Sequence, residues 1–132
     1  MFKEVDHIAI LVRDTESALS FYRDQLRLPE LHSEVLEEVG VRLTHLDMGN
    51  VQLQLVQPLS PDHPLAKQLD ERGEGFHHVC WKVDDVNEAM EKLGDYGLAP
   101  KPNEPHPAPK GGTAAFIEPQ STRGLLWEMT AK

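Results

Sequence analysis

Between Val5 and Leu19 the chain reads VDHIAILVRDTESAL, and between Phe76 and Met90 it reads FHHVCWKVDDVNEAM. Laid over one another at a constant offset of 71 residues, His7 meets His78, Ile10 meets Trp81, Val12 meets Val83, Asp14 meets Asp85 and Ala18 meets Ala89. Such ungapped self-similarity marks an internal repeat. Each copy opens with strand alternation: Ile8, Ile10 and Val12 on one side, His7, Ala9 and Leu11 on the other, and likewise Val79, Trp81 and Val83 against His78, Cys80 and Lys82. The larger apolar set is expected to face a helix, so both histidines project from the opposite face of the sheet.

A helix follows each strand. Asp14 and Asp85 are the expected N-caps, with Glu88 completing a capping box in the second copy. Ala18, Leu19, Tyr22 and Leu26 recur at helical spacing, as do Val86, Ala89, Met90 and Leu93, and Gly97 is a C-terminal stop. Three strands are expected after each helix: about 31–38, 41–48 and 51–57 in the first half, and 98–101, 113–118 and 125–130 in the second. Between the halves, Ser60-Pro61 signals the start of a short linking helix with Leu65 and Leu69 on its apolar side, ending near Gly73 and Gly75. The expectation is one α+β domain over 1–132: a module at about 1–58, a linking helix at about 60–72 and a second module at about 75–132.

Comparison of the last strands adds chemistry. LQL at Leu53–Leu55 matches WEM at Trp127–Met129, at offset 74, and in each a polar group interrupts an apolar strand. Alternation turns Gln54 and Glu128 to the face that carries His7 and His78. A lone histidine or glutamine on a strand is ordinary, but a carboxylate between Trp127 and Met129 is costly to bury without a partner. Two imidazoles, a carboxylate and an amide oxygen suit a first-row divalent cation better than calcium or an all-thiolate zinc site. Cys80 shares that face and is read as a small packed hydrophobe; His77 is read as structural or exposed. The proline- and glycine-rich stretch NEPHPAPKGG, 103–112, is expected to be an irregular loop, a lid or a plain connector, with Lys110 available to a phosphate or carboxylate. The acidic run Glu34–Glu38 reads as a solvated edge strand.

Composition narrows the partners. A hydrophobic share of 39% and a charged share of 27% are ordinary for a soluble protein, and no apolar run approaches the roughly 20 residues of a membrane span. A net charge of −9 argues against a phosphate backbone as partner. With one cysteine and no leader pattern at the N-terminus, a cytoplasmic location is expected.

VDHIAI with FYRDQL, the long stretch VQLQLVQPLSPDHPLAKQLDERGEGFHHVCWKVDDV, and FIEPQSTRGLLWE together resemble the methylmalonyl-CoA epimerase family. That family lies within the vicinal oxygen chelate group, with glyoxalase I, extradiol dioxygenases and bleomycin-resistance proteins. The resemblance implies two βαβββ modules forming a cupped mixed sheet, often a homodimer, and the metal ligands His7, Gln54, His78 and Glu128. It implies one divalent ion, cobalt as the first expectation and manganese, nickel, zinc or iron as substitutes. It also implies proton transfer at C2 of a methylmalonyl thioester, with Glu128 as both ligand and base. Where some family members carry a second catalytic glutamate, this chain reads GVRL and has Leu43; His45, on the same strand face, is the substitute acid. Two other readings share the scaffold: an Fe(II) extradiol-type dioxygenase or glyoxalase-like isomerase, and a non-catalytic binding protein of the antibiotic-resistance type.

Overall fold

The computed structural model describes residues 1–131; Lys132, the last residue of the expected domain, lies outside the described residues. The element order is β1 (Val5–Leu11), α1 (Thr15–Leu19), β2 (Glu30–Leu36), β3 (Val41–Asp47), β4 (Gln52–Pro58), α2 (Pro64–Arg72), β5 (Gly75–Lys82), α3 (Val86–Lys92), β6 (His106–Pro107), β7 (Thr113–Ile117) and β8 (Trp127–Thr130). This is the α+β pattern βαβββ twice, with α2 between. The chain divides into two compact units, one of Met1–His7 with His78–Lys132, the other of Ile8–His77. Among the described residues no helix is long and apolar enough to cross a membrane.

In the Ile8–His77 unit, β2, β3 and β4 form an antiparallel ladder in which His32 faces His45 and His45 faces Gln54. Ile10 and Val12 pack with Ala18 and Leu19 of α1 and with Leu53 and Leu55, which is the helix-facing side that alternation assigned them. Asp14 caps α1 by accepting from the Ser17 N–H at 2.9 Å. Gln57 of β4 adds a tie: its Oε1 accepts from both the backbone N–H and the hydroxyl of Thr15, at 2.8 and 2.6 Å. The helix then widens into a π-helical stretch, Ser20–Gln25, closed by Leu26 N–H to Phe21 carbonyl at 2.9 Å. A π turn holds one residue more than an α turn. Leu26 therefore rotates off the apolar stripe predicted for it and is 50% exposed, while Leu28 packs in its stead.

The linking helix starts later than the Ser60-Pro61 signal predicts. Its N-cap is His63, with Pro64 at the first position, because the His63 ring is bound twice. Nδ1 accepts from the Leu65 N–H at 3.0 Å, and Nε2–H donates to the Val39 carbonyl at 2.8 Å. One ring thus joins the start of α2 to the β2–β3 turn, and Gly73 ends the helix with a φ of 78°. Leu69 of α2 packs on Ala9, Leu11, Leu43 and Val56. Ala9 and Leu11, set by alternation on the face of the His7 side chain, are accordingly core residues.

In the other unit β5 pairs parallel with β8, and β8, β7 and β6 continue antiparallel, giving a mixed sheet. Val86, Ala89 and Leu93 bury their side chains against Ala115, Ile117 and Met129. Ile117 and Met129 are completely buried, worth about 2 kcal/mol each in hydrophobic transfer. Asp85 accepts from the Glu88 N–H at 2.8 Å, but the predicted capping box is only half made. The Glu88 carboxylate accepts instead from Lys92, one turn on, at 2.6 Å. The strand predicted at 98–101 reduces to a single bridge between Pro100 and Ile117. Pro100 and Pro102 have no N–H to give a ladder. The edge is supplied by β6, from inside the segment predicted to be irregular, with His106 opposite Ala114 and Pro107 opposite Thr113.

Candidate metal centre

Three of the four expected ligands lie together in the unit of Met1–His7 and His78–Lys132. His7 closes the stretch of β1 that belongs to it, His78 stands on β5 and Glu128 on β8. The parallel register sets Cys80 opposite Glu128, which brings the carboxylate level with the neighbouring β5 side chains. Glu128 Oε1 is 3.0 Å from His78 Nε2 and 3.4 Å from His7 Nε2. The two imidazole rings meet edge to face, 5.5 Å between centroids. One donor atom from each of the three residues lies within 4.8 Å of the other two, and all three side chains are buried. Two imidazole nitrogens and a carboxylate oxygen crowded this closely form a donor set that a divalent cation fits.

The surroundings of these residues reinforce that fit. Asp6, itself buried, accepts from His7 Nδ1–H at 2.7 Å. This contact selects the tautomer that turns the Nε2 lone pair toward Glu128, the carboxylate–histidine arrangement that orients imidazole ligands in metal sites. Burial lowers the His7 pKa, but the hydrogen bond to Asp6 and the nearby Glu128 carboxylate, which favour the protonated ring, outweigh it and raise it above the ordinary histidine value. A second proton and a cation thus compete for the same nitrogen. For Glu128, burial favours the neutral acid; the neighbouring His78 and His7 imidazoles and the hydrogen bond from His106 overcome this and hold the carboxyl well below the usual range. Glu128 is ionised at neutral pH.

His106 is the residue of this site that sequence reading missed. Its Nε2–H donates to Glu128 Oε2 at 2.8 Å, and its Nδ1–H to the Glu104 carboxylate. Glu104 also accepts from the Phe116 backbone N–H at 3.1 Å. The His106 ring stacks on Phe116 at 4.8 Å and 23°, and Phe116 presents its edge to His78 at 5.1 Å. Burial lowers the His106 pKa, yet its bonds to Glu128 and Glu104 raise it overall. The available signal was an acidic residue two places before a histidine, both on one side of a short extended run.

Gln54 and His45 lie in the Ile8–His77 unit, opposite one another on β4 and β3, and both are buried. Gln52 Oε1 accepts from His45 Nδ1–H at 2.8 Å, so His45 Nε2 is the acceptor for the Gln54 amide nitrogen at 3.2 Å. That leaves the Gln54 carbonyl oxygen as its ligand-type atom. Leu43 is a core residue, packed with Ala9, Leu11 and Leu69. Cys80 is fully buried, with its sulfur near Asp6 and His7; His77 is half-buried; Lys110 is exposed, in a left-handed conformation.

The profile of the Glyoxalase/Bleomycin resistance protein/Dioxygenase superfamily matches residues 6–116. The uncharacterized protein YqjC of Bacillus subtilis is 34% identical over 125 residues, 95% of this chain and 89% of that one. The mitochondrial methylmalonyl-CoA epimerase of Mus musculus is 32% identical, over 95% of this chain and 71% of its own length. A solved structure of methylmalonyl-CoA epimerase in complex with methylmalonyl-CoA and NH4+ superimposes with a TM-score of 0.89 at 31% identity, covering 100% of this chain and 96% of that one. The chain belongs to the glyoxalase/bleomycin resistance protein/dioxygenase superfamily and, within it, to the methylmalonyl-CoA epimerase family of isomerases.

Proposed function

We propose that the protein is a metal-dependent epimerase that interconverts the 2R and 2S forms of methylmalonyl-CoA, or of a close 2-substituted malonyl thioester. The observation that carries this reading is the convergence of His7 Nε2, His78 Nε2 and Glu128 Oε1 in a buried setting, in a chain with methylmalonyl-CoA epimerases among its relatives. His7, His78 and Glu128 hold the ion, with Gln54 as a fourth donor on the strength of the family motif. A divalent cation there supplies Lewis-acid stabilisation of the negative charge that grows on the thioester oxygen as the C2 proton leaves, worth several kcal/mol.

The chain's own groups handle the proton. Glu128, ionised at neutral pH, accepts it from C2 on one face. A carboxylate held so far toward its charged form is a weak base, so the reaction depends on the enolate being stabilised rather than on the strength of Glu128. His45 is the proposed acid for the opposite face of C2, a role that requires its Nε2 to carry a proton in place of accepting the Gln54 N–H. Burial of the centre keeps bulk water from competing for the charge. A single cysteine, Cys80, suits a cytoplasmic protein, and the family resemblance supports a homodimer.

Incubating the cobalt-loaded protein with one epimer of methylmalonyl-CoA in deuterated water tests this. Deuterium is expected at C2, together with the appearance of the other epimer; absence of exchange with every malonyl thioester tried eliminates the reading. A second reading has one observation in its favour, since two histidines and a carboxylate also make the facial triad of Fe(II) oxygenases. Oxygen consumption with a catechol, and no C2 exchange, would select it.

A further inference from the structure

We infer that His106 is a positioning residue that clamps Glu128, holding its second oxygen so that the first is the one presented to the metal. The inference rests on the metal-centre reading above and goes beyond it, because His106 is not one of the four ligands. The terminal torsion of a glutamate is soft, so its two oxygens exchange places unless something distinguishes them. Here they have different partners. Oε1 lies against His78 and His7, while Oε2 receives the Nε2–H of His106 at 2.8 Å.

The clamp is itself held from two further sides. Glu104 accepts the Nδ1–H of the ring and, with the same oxygen, the backbone N–H of Phe116, which stands opposite Glu128 in the β7–β8 register. The Phe116 ring covers one face of the imidazole. A simple brace for the short β6 edge would require only the backbone pairing of His106 with Ala114. A side chain oriented by a carboxylate, stacked on an aromatic ring and aimed at a ligand's outer oxygen is the arrangement by which supporting residues tune metal sites, where its loss weakens binding by about 10–100-fold.

The test is Co2+ affinity, measured by competition with a chromophoric chelator, together with the visible spectrum of the bound Co2+ and thermal melting of the metal-free proteins. In His106→Leu, affinity is expected to fall by about 10-fold or more, with a changed cobalt spectrum. His106→Gln, which reaches the position of Nε2 with an N–H, is expected to recover most of the loss. His106→Asn, too short to reach Glu128, is expected not to recover it. Wild-type affinity and spectrum in His106→Leu would overturn the inference. Should that variant fail to fold, equal affinities in the Gln and Asn variants would overturn it in the same way. If wild-type protein takes up no Co2+ at all, the metal-centre reading fails and the inference falls with it, a result distinct from uptake that is indifferent to position 106.

Discussion

Glu128→Gln is expected to reduce C2 proton exchange by about three orders of magnitude or more, and to weaken metal binding at the same time. The replacement keeps the size of the side chain and one carbonyl-type oxygen, so the packing around it is preserved. It removes the negative charge that His7, His78 and His106 all face. A positioned general base contributes roughly 10²–10⁴-fold by itself. A neutral amide is also a poorer partner for a divalent cation, so the two losses compound. In the metal-free protein the same change strips a buried group from its ionic partners, and breaking such a pair costs about 3–5 kcal/mol. Exchange rates by proton NMR, with melting curves of the metal-free variant, check both effects. An E128Q protein that exchanges the C2 proton at the wild-type rate would remove Glu128 from the chemistry.

Chelation of the metal is expected to have an effect of similar size. After exhaustive dialysis against EDTA the exchange rate should fall to near background and return on addition of Co2+ alone. Stability should move in parallel, because a ligand that binds only the folded chain adds about 2.7 kcal/mol when present at 100 times its dissociation constant. The melting temperature should therefore rise with Co2+ concentration in the wild type, and much less in His7→Ala or His78→Ala. Each of those variants removes one of three convergent donors. Retention of full activity and an unchanged melting temperature in chelated protein would show that the imidazoles serve packing alone.

The centre was legible in the sequence where two regularities coincide. The repeat paired His7 with His78, and strand alternation turned Glu128 out of the apolar stripe of Trp127 and Met129; burial of all three follows from those positions. The burial of Gln54 was legible in the same way, but not its hydrogen bond to His45, since which amide end meets which ring nitrogen is decided across strands. His106 was hidden for a physical reason. It stands among prolines in NEPHPAPKGG, where no period of two or 3.6 distinguishes an edge strand from a loop. The π-helical turn after α1 escaped similarly, because Leu26 keeps α-helical spacing in sequence while the backbone inserts an extra residue. His63 escaped because a ring nitrogen acting as an N-cap has none of the signature of Ser, Thr, Asp or Asn. For His63 and His106 the local pattern was overridden by a partner distant in the chain.

Anomalous diffraction at the cobalt edge from crystals of Co2+-loaded protein bears most directly on the central claim. One strong peak per chain is expected within bonding distance of His7 Nε2, His78 Nε2 and Glu128 Oε1. A peak elsewhere, or none in protein that is fully active, would contradict it.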